Sequence, residues 1–279
     1  MTKFFGIFSH FFLHICNKYT TFVPDLNETN ENMNKQKRFM LDESELPRQW
    51  YNIAADMPNK PLPPLNPATK EPLTVEELSH IFAKECAKQE LDQEHAWIDI
   101  PEEVQERYRY YRSTPLVRAY ALEEALGTPA HIYFKNESVN PLGSHKVNSA
   151  IPQCYYCKQE GTTNVTTETG AGQWGAALSQ ATKTFGPACA VYPVKITMQQ
   201  KPYRSSIMRT FGATVEGSPS MSTRAGKDII TRDPHHPGSL GTAISEAVEL
   251  ATTTPNCKYT LGSVLNHVSL HQTIIGLEA

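Results

Sequence analysis

The feature that most constrains this chain is an alternation. From Ala130 onward, short apolar stretches trade places with helical ones. His131 to Lys135, Asn164 to Thr167, Ala188 to Val194 and Thr214 to Glu216 read as strands. Ser144 to Gln159, Gly172 to Thr184, Gln200 to Phe211 and Thr223 to Thr231 read as helices. Strands separated by helices require right-handed crossovers. The pattern therefore predicts an α/β fold: a mainly parallel sheet with helices on both faces and a ligand site at the carboxyl ends of the strands.

Two motifs fall at those ends. The first is Asn-Pro-Leu-Gly-Ser-His-Lys-Val-Asn (Asn140 to Asn148), which puts Lys146 at a helix start. A cation there opposes the helix dipole and costs a few tenths of a kcal/mol, so it wants a reason. An amine that binds an aldehyde cofactor covalently is one reason; a plain surface lysine remains the alternative. The second motif is Thr-Glu-Thr-Gly-Ala-Gly-Gln-Trp-Gly (Thr167 to Gly175). It satisfies G-x-G-x-x-G between a strand and a helix, so a dinucleotide site has to be weighed. That site needs a ribose-binding acid at the end of the next strand, where Tyr192-Pro-Val-Lys195 offers none, and Glu168 would repel a pyrophosphate. The turn suits a single carboxylate better, held by free helix-start N–H groups with Thr169 and Gln173 adding bonds and Glu168 beside it for proton transfer. A solvated glutamate is the bland alternative.

Composition closes off other classes. With 279 residues, 39% hydrophobic and 20% charged, the chain can bury a sizeable core. A net charge of -3 gives no basic surplus for nucleic acid or anionic lipid, and no stretch reaches the roughly 20 apolar residues of a membrane span. The 6 cysteines are too sparse for a disulfide scaffold, which fits a reducing compartment and a cytoplasmic location. Cys154 and Cys157 form a C-x-x-C without a second ligand pair, so no metal site is expected and the two read as half-buried on one helix face. His235 and His236 read as a solvated loop.

The domain reading has three parts. Residues 1–38, with an apolar run from Phe4 to Cys16 and then an Asn-rich stretch, read as a disordered or spurious extension, with Met1, Met33 or Met40 as the start and organelle targeting as the other role considered. Residues 39–112 form a framework segment: proline-dense and extended from Leu41 to Pro72, helical from a Thr74 capping box to Lys88, and helical again from Pro101. Residues 113–279 form the α/β portion. Within it, Pro152 lies inside the expected helix, where it costs about 3 kcal/mol unless a kink is built in, because it strips a hydrogen bond from the carbonyl of Asn148.

Four runs carry a resemblance: Arg112-Ser-Thr-Pro-Leu116, Gly143-Ser-His-Lys-Val-Asn148, Glu168-Thr-Gly-Ala-Gly-Gln173 and Lys258-Tyr-Thr-Leu-Gly-Ser263. With them the chain resembles the tryptophan synthase beta family, fold type II pyridoxal-phosphate enzymes. It is most similar to the second, stand-alone-type group, through Trp174, Leu41 to Pro47, Gln199 to Arg204, Pro237 to Gly241 and Val264 to Val268.

The resemblance implies pyridoxal 5'-phosphate on Lys146 as a Schiff base, with Lys146 also the base at the substrate α carbon and His145 near the cofactor phosphate. Glu168 assists departure of the serine hydroxyl, and Thr169, Gly170, Gly172 and Gln173 hold the substrate carboxylate. The implied reaction is β replacement, L-serine plus indole giving L-tryptophan and water. A homodimer is implied, with an alpha subunit as an optional partner. The family also carries a Gly-Gly-Gly-Ser-Asn phosphate cup in a second domain, absent from these 279 residues, so this stretch is expected to bind the cofactor weakly or not at all. Two alternatives stay open: a dehydratase-like reaction on serine or threonine, and an inactive fragment that acts only through interactions.

Overall fold

In the computed structural model, which describes residues 36–279, the strands in chain order are β1 (Arg38–Phe39), β2 (Gln49–Tyr51), β3 (Trp97–Asp99), β4 (Leu116–Arg118), β5 (Tyr133–Lys135), β6 (Asn164–Thr169), β7 (Ala188–Pro193), β8 (Thr214–Val215) and β9 (Cys257–Tyr259). The last four make a parallel sheet in the order β8-β7-β6-β9, with Glu168 opposite Tyr192 and Thr166 opposite Tyr259. β6 is central and buried along most of its length, as a strand covered on both faces must be. Helix Leu240–Thr253 covers one face through Ala243, Ala247 and Ala251, one side chain per turn and all small, which lets its backbone come close to β6. Helix Gln173–Phe185 covers the other with Ala176, Ala177, Leu178 and Ala181, and helix Val147–Gln159 packs behind it. The α/β architecture is the one the alternation predicts.

The expected strand at His131 to Lys135 is not part of that sheet. β5 pairs antiparallel with β4, which pairs antiparallel with β1, and β2 with β3 forms a separate antiparallel pair. Apolar alternation reveals a strand but not its partner, and β5 takes the nearest free edge.

The framework differs from its expectation in two places. The extended stretch holds β2 and a one-turn helix, Ile53–Asp56, capped by Asn52, whose side chain accepts from the Ala54 N–H at 3.2 Å. The helix expected from Thr74 to Lys88 is two helices, Val75–Ser79 and Lys84–Leu91. The Thr74–Glu77 capping box forms as predicted, but the break comes where Ile81 O accepts the Tyr259 N–H at 2.8 Å and Ser79 O accepts from the Lys258 ammonium. Carbonyls claimed by β9 are not available to continue the helix.

Framework and α/β portion share one core within the unit Arg38–Ala279: Trp50, Ile100, Val104 and Tyr108 are buried with Val147, Ala150, Cys154, Val165 and Leu178. The reading of residues 1–38 as an extension falls almost wholly on 1–35, outside the described residues. Among the described residues no helix is long and apolar enough to cross a membrane.

Cys154 and Cys157 are fully buried rather than half-buried, and burial pushes both thiols well above their usual range. Helix Val147–Gln159 contains their face, and it packs beneath another helix instead of meeting solvent. Pro152 lies inside this helix, and the Asn148 carbonyl it leaves unpaired accepts the Tyr108 hydroxyl at 2.6 Å.

Candidate active site

Lys146 is delivered by a loop that folds around Asn140. The Asn140 side chain accepts from Leu142 N at 3.1 Å and Ser144 N at 3.2 Å and donates to Ser144 O at 2.8 Å, while Gly143 takes φ 63°. An asparagine tied to its own backbone makes such a turn, and glycine permits the left-handed residue. Lys146 then caps helix Val147–Gln159. Its half-buried amine donates to Gly262 O at 2.9 Å. Burial lowers its pKa, and the nearby Glu168 charge partly opposes that.

Glu168 is the penultimate residue of β6 and is 5% exposed. Burial raises its pKa, while a hydrogen bond from the Tyr259 hydroxyl and the Lys146 charge pull it back. The chain then turns through Gly170 and Gly172 into helix Gln173–Phe185. Gly172 adopts φ 86°, where a Cβ would sit 2.7 Å from Arg204 Cβ. Gly175 faces Met208 Sδ and Val191 Cγ1 at 2.7 and 2.8 Å from a built Cβ, so the helix start lies against β7 as only glycine allows. The N–H groups of Gln173 and Trp174 have no acceptor among the described residues, as the first groups of a helix do not. They are the backbone donors this turn has to offer an anion.

Of the residues singled out in the sequence, Lys146 and Glu168 are brought within electrostatic reach of each other, and Gly170, Gly172 and Gln173 form the turn beside them. His145 adjoins Lys146 and is exposed. The Thr169 hydroxyl oxygen accepts the Gly175 N–H at 3.2 Å, so it already serves the helix start and retains only its proton for a ligand.

The segment 259–262 was not singled out for any role, yet it holds both reactive groups: Tyr259 donates to Glu168, and Gly262 O accepts from Lys146. It is fixed from two sides. The Thr167 hydroxyl donates to Thr260 O at 2.6 Å and accepts from the Trp174 indole at 2.6 Å. Gln153 binds both polar groups of Leu261, donating to its oxygen at 2.9 Å and accepting from its N–H at 3.2 Å. The Gln153 amide also donates to Ser149, which contacts His271 Nδ1 at 3.0 Å, and His271 Nε2 contacts Gln89 Oε1 at 2.9 Å. Burial keeps His271 neutral, and the Gln89 oxygen can only accept, so Nε2 carries the proton and Ser149 donates to Nδ1. The only sequence signal was the run Lys258 to Ser263 itself, since a carbonyl's role has no residue code.

Residues 108–278, more than half of the chain, match the family described as pyridoxal-phosphate dependent enzyme. The chain belongs to this family. Within the pyridoxal-phosphate dependent enzymes it is similar to tryptophan synthase beta chain 2 of Methanosarcina mazei, 52% identical over 90% of this chain and 57% of the relative. It is similar to the proteins of the same name from Thermotoga maritima, at 55% over 85% and 56%, and Aquifex aeolicus, at 54% over 87% and 56%. The chain thus spans little more than half the length of these relatives.

The donor set fits the aldehyde end of the family's cofactor. An amine held by a neutral carbonyl, with its pKa lowered, is partly free of its proton and can condense with an aldehyde. An amine locked in an ion pair could not do so as readily.

Proposed function

We propose that this chain carries the lysine, the acid and the carboxylate-binding turn of a tryptophan synthase beta-type site, which replaces the hydroxyl of L-serine with indole to give L-tryptophan and water. The observation that carries the reading is the convergence of Lys146 and Glu168 on one four-residue segment beside a helix start with free N–H groups. When bound, pyridoxal phosphate supplies an aldehyde that captures the substrate amine and a ring that withdraws electrons from its α carbon. Lys146 would hold that aldehyde in the resting site, with His145 toward its phosphate.

The N–H groups of Gln173 and Trp174, with the Gln173 amide and the backbone of Thr169, Gly170 and Gly172, orient the substrate carboxylate. Lys146 would take the proton at the α carbon; its lowered pKa leaves a fraction of the amine neutral to do so. Glu168, its pKa raised by burial, hands a proton to the serine hydroxyl oxygen so that it leaves as water. Afterwards Glu168 as carboxylate accepts a proton from indole as it adds at the β carbon.

L-serine and indole as substrates, homodimeric assembly and an optional alpha partner belong to the same proposal, supported by relatives named as beta chains. The test is to supply serine with and without indole, in the presence of pyridoxal phosphate, and measure tryptophan against pyruvate. Tryptophan that appears only with indole, and is lost in Lys146→Ala together with the lysine-bound cofactor absorbance, is the expected result. Pyruvate formed regardless of indole would replace this reading with a dehydratase.

A further inference from the structure

A carboxylate buried as deeply as Glu168 needs partners to stay charged. Two titratable groups act on it most strongly: Lys146, from the start of helix Val147–Gln159, and Tyr259, from β9; the Thr167 hydroxyl adds a weaker contribution. They are not equivalent. The Lys146 amine rests on Gly262 O, is half-buried, and must change partners if it is to hold an aldehyde and take up a proton. Tyr259 has no such freedom.

Tyr259 is 4% exposed, and its ring packs against Phe82 with centroids 5.8 Å apart. Its N–H is tied to Ile81 O at 2.8 Å, within the break between the two framework helices. Its hydroxyl donates to Glu168 Oε2 from β9, while the Glu168 backbone N–H and the Thr167 hydroxyl act on the carboxylate from β6 itself. The phenol therefore distinguishes the two oxygens: Oε2 is anchored to β9, and Oε1 is not.

We propose that Tyr259 is a positioning residue of this site, fixing which oxygen of Glu168 exchanges a proton and stabilising the carboxylate form, the one that accepts a proton from indole, when Lys146 no longer supplies its charge. This rests on the reading of Glu168 as the proton carrier. The phenol does not itself lose a proton: burial and the adjoining carboxylate both push its pKa upward.

The test is a titration of Glu168 in this chain, followed by the carboxyl infrared band of isotopically labelled glutamate and assigned by its loss in Glu168→Gln. Tyr259→Phe keeps the ring and removes the donor. It is expected to move the Glu168 midpoint upward by about one pH unit, a tenfold gain in proton affinity. An ortho-fluorotyrosine placed at 259 alone, a stronger donor of the same shape, is expected to move it downward. An unchanged midpoint in the folded variants overturns the proposal; if Tyr259→Phe does not fold, the fluorotyrosine protein decides alone. The functional reading fails separately. Should the midpoints move as stated while Lys146→Ala still forms tryptophan from serine and indole, Tyr259 keeps its role toward Glu168 and the catalytic assignment of the site falls.

Discussion

Gly262 lies flat against the indole of Trp174, so close that a Cβ would stand 2.4 Å from Cδ2. Its carbonyl is the acceptor of the Lys146 amine. Gly262→Ala must push either the indole, pinned by its bond to Thr167, or the segment that carries the carbonyl. Overpacking of this kind costs about 1–3 kcal/mol. The expected outcome is a loss of that order in urea unfolding, with the Lys146 amine, followed by its rate of reaction with a small aldehyde against pH, displaced from its normal profile. Trp174→Phe removes the N–H and part of the ring, so it should relieve the crowding against Gly262 at the cost of a buried cavity and an unpaired Thr167 hydroxyl contact.

A second coupling joins Tyr108 to Pro152 through a carbonyl that neither owns. Proline removes the N–H that Asn148 O would accept in a regular helix, and the Tyr108 hydroxyl at 2.6 Å replaces it. Tyr108→Phe should cost about 1–3 kcal/mol, the price of a buried acceptor left alone. In a Pro152→Ala background the helix can supply its own N–H, and the same substitution should cost less. A double-mutant cycle by denaturant unfolding reads the difference, and strict additivity would mean that the two residues are uncoupled.

This pair also marks the limit of what the sequence discloses. Pro152 signalled a broken hydrogen bond, but nothing local could name Tyr108, 40 residues from Asn148, as the replacement donor. The parallel sheet, the capping box at Thr74, the turn after Glu168 and the helix behind Lys146 were legible because each is written in consecutive residues. Tyr259 was not, since its partner Glu168 stands 91 residues away. Nor was the break after Ser79, because the carbonyls of Ser79 and Ile81 are taken by β9, far along the chain. Gly262 acts through its carbonyl and its missing side chain, and any glycine offers both.

Glu168 should make the protein less stable than a neutral isostere would. Its folded pKa lies above the ordinary 4.5. Between those two values the folded chain binds more protons than the unfolded one, so stability falls as pH rises through that window and the full penalty remains above it. Glu168→Gln should therefore gain stability at neutral pH, and the gain should shrink toward zero as both states become protonated below about pH 4. Urea unfolding at several pH values checks it, and a destabilised glutamine variant at neutral pH would contradict the assigned direction.

The largest electrostatic cost is expected away from the site, at Glu278. Its carboxylate is fully buried against Arg112, which reaches both oxygens, one at 2.7 Å, and Lys135 adds a third bond at 2.7 Å. Arg112 continues to Glu137 at 3.1 Å and to the Asn148 side chain at 2.9 Å, so two cations face two carboxylates in one cluster. Glu278→Gln leaves that cluster with a net positive charge that water cannot reach, a loss of about 3–5 kcal/mol. The pair Lys158 and Glu103 is equally close at 2.8 Å but nearly half exposed, and Glu103→Gln should cost no more than about 0.5 kcal/mol. Asn148 lies in the first turn of the helix that Lys146 caps. Glu278→Gln should therefore also blunt the aldehyde reactivity of Lys146, whereas Glu103→Gln should leave it unchanged. Equal costs for the two substitutions would show that burial is not what separates them.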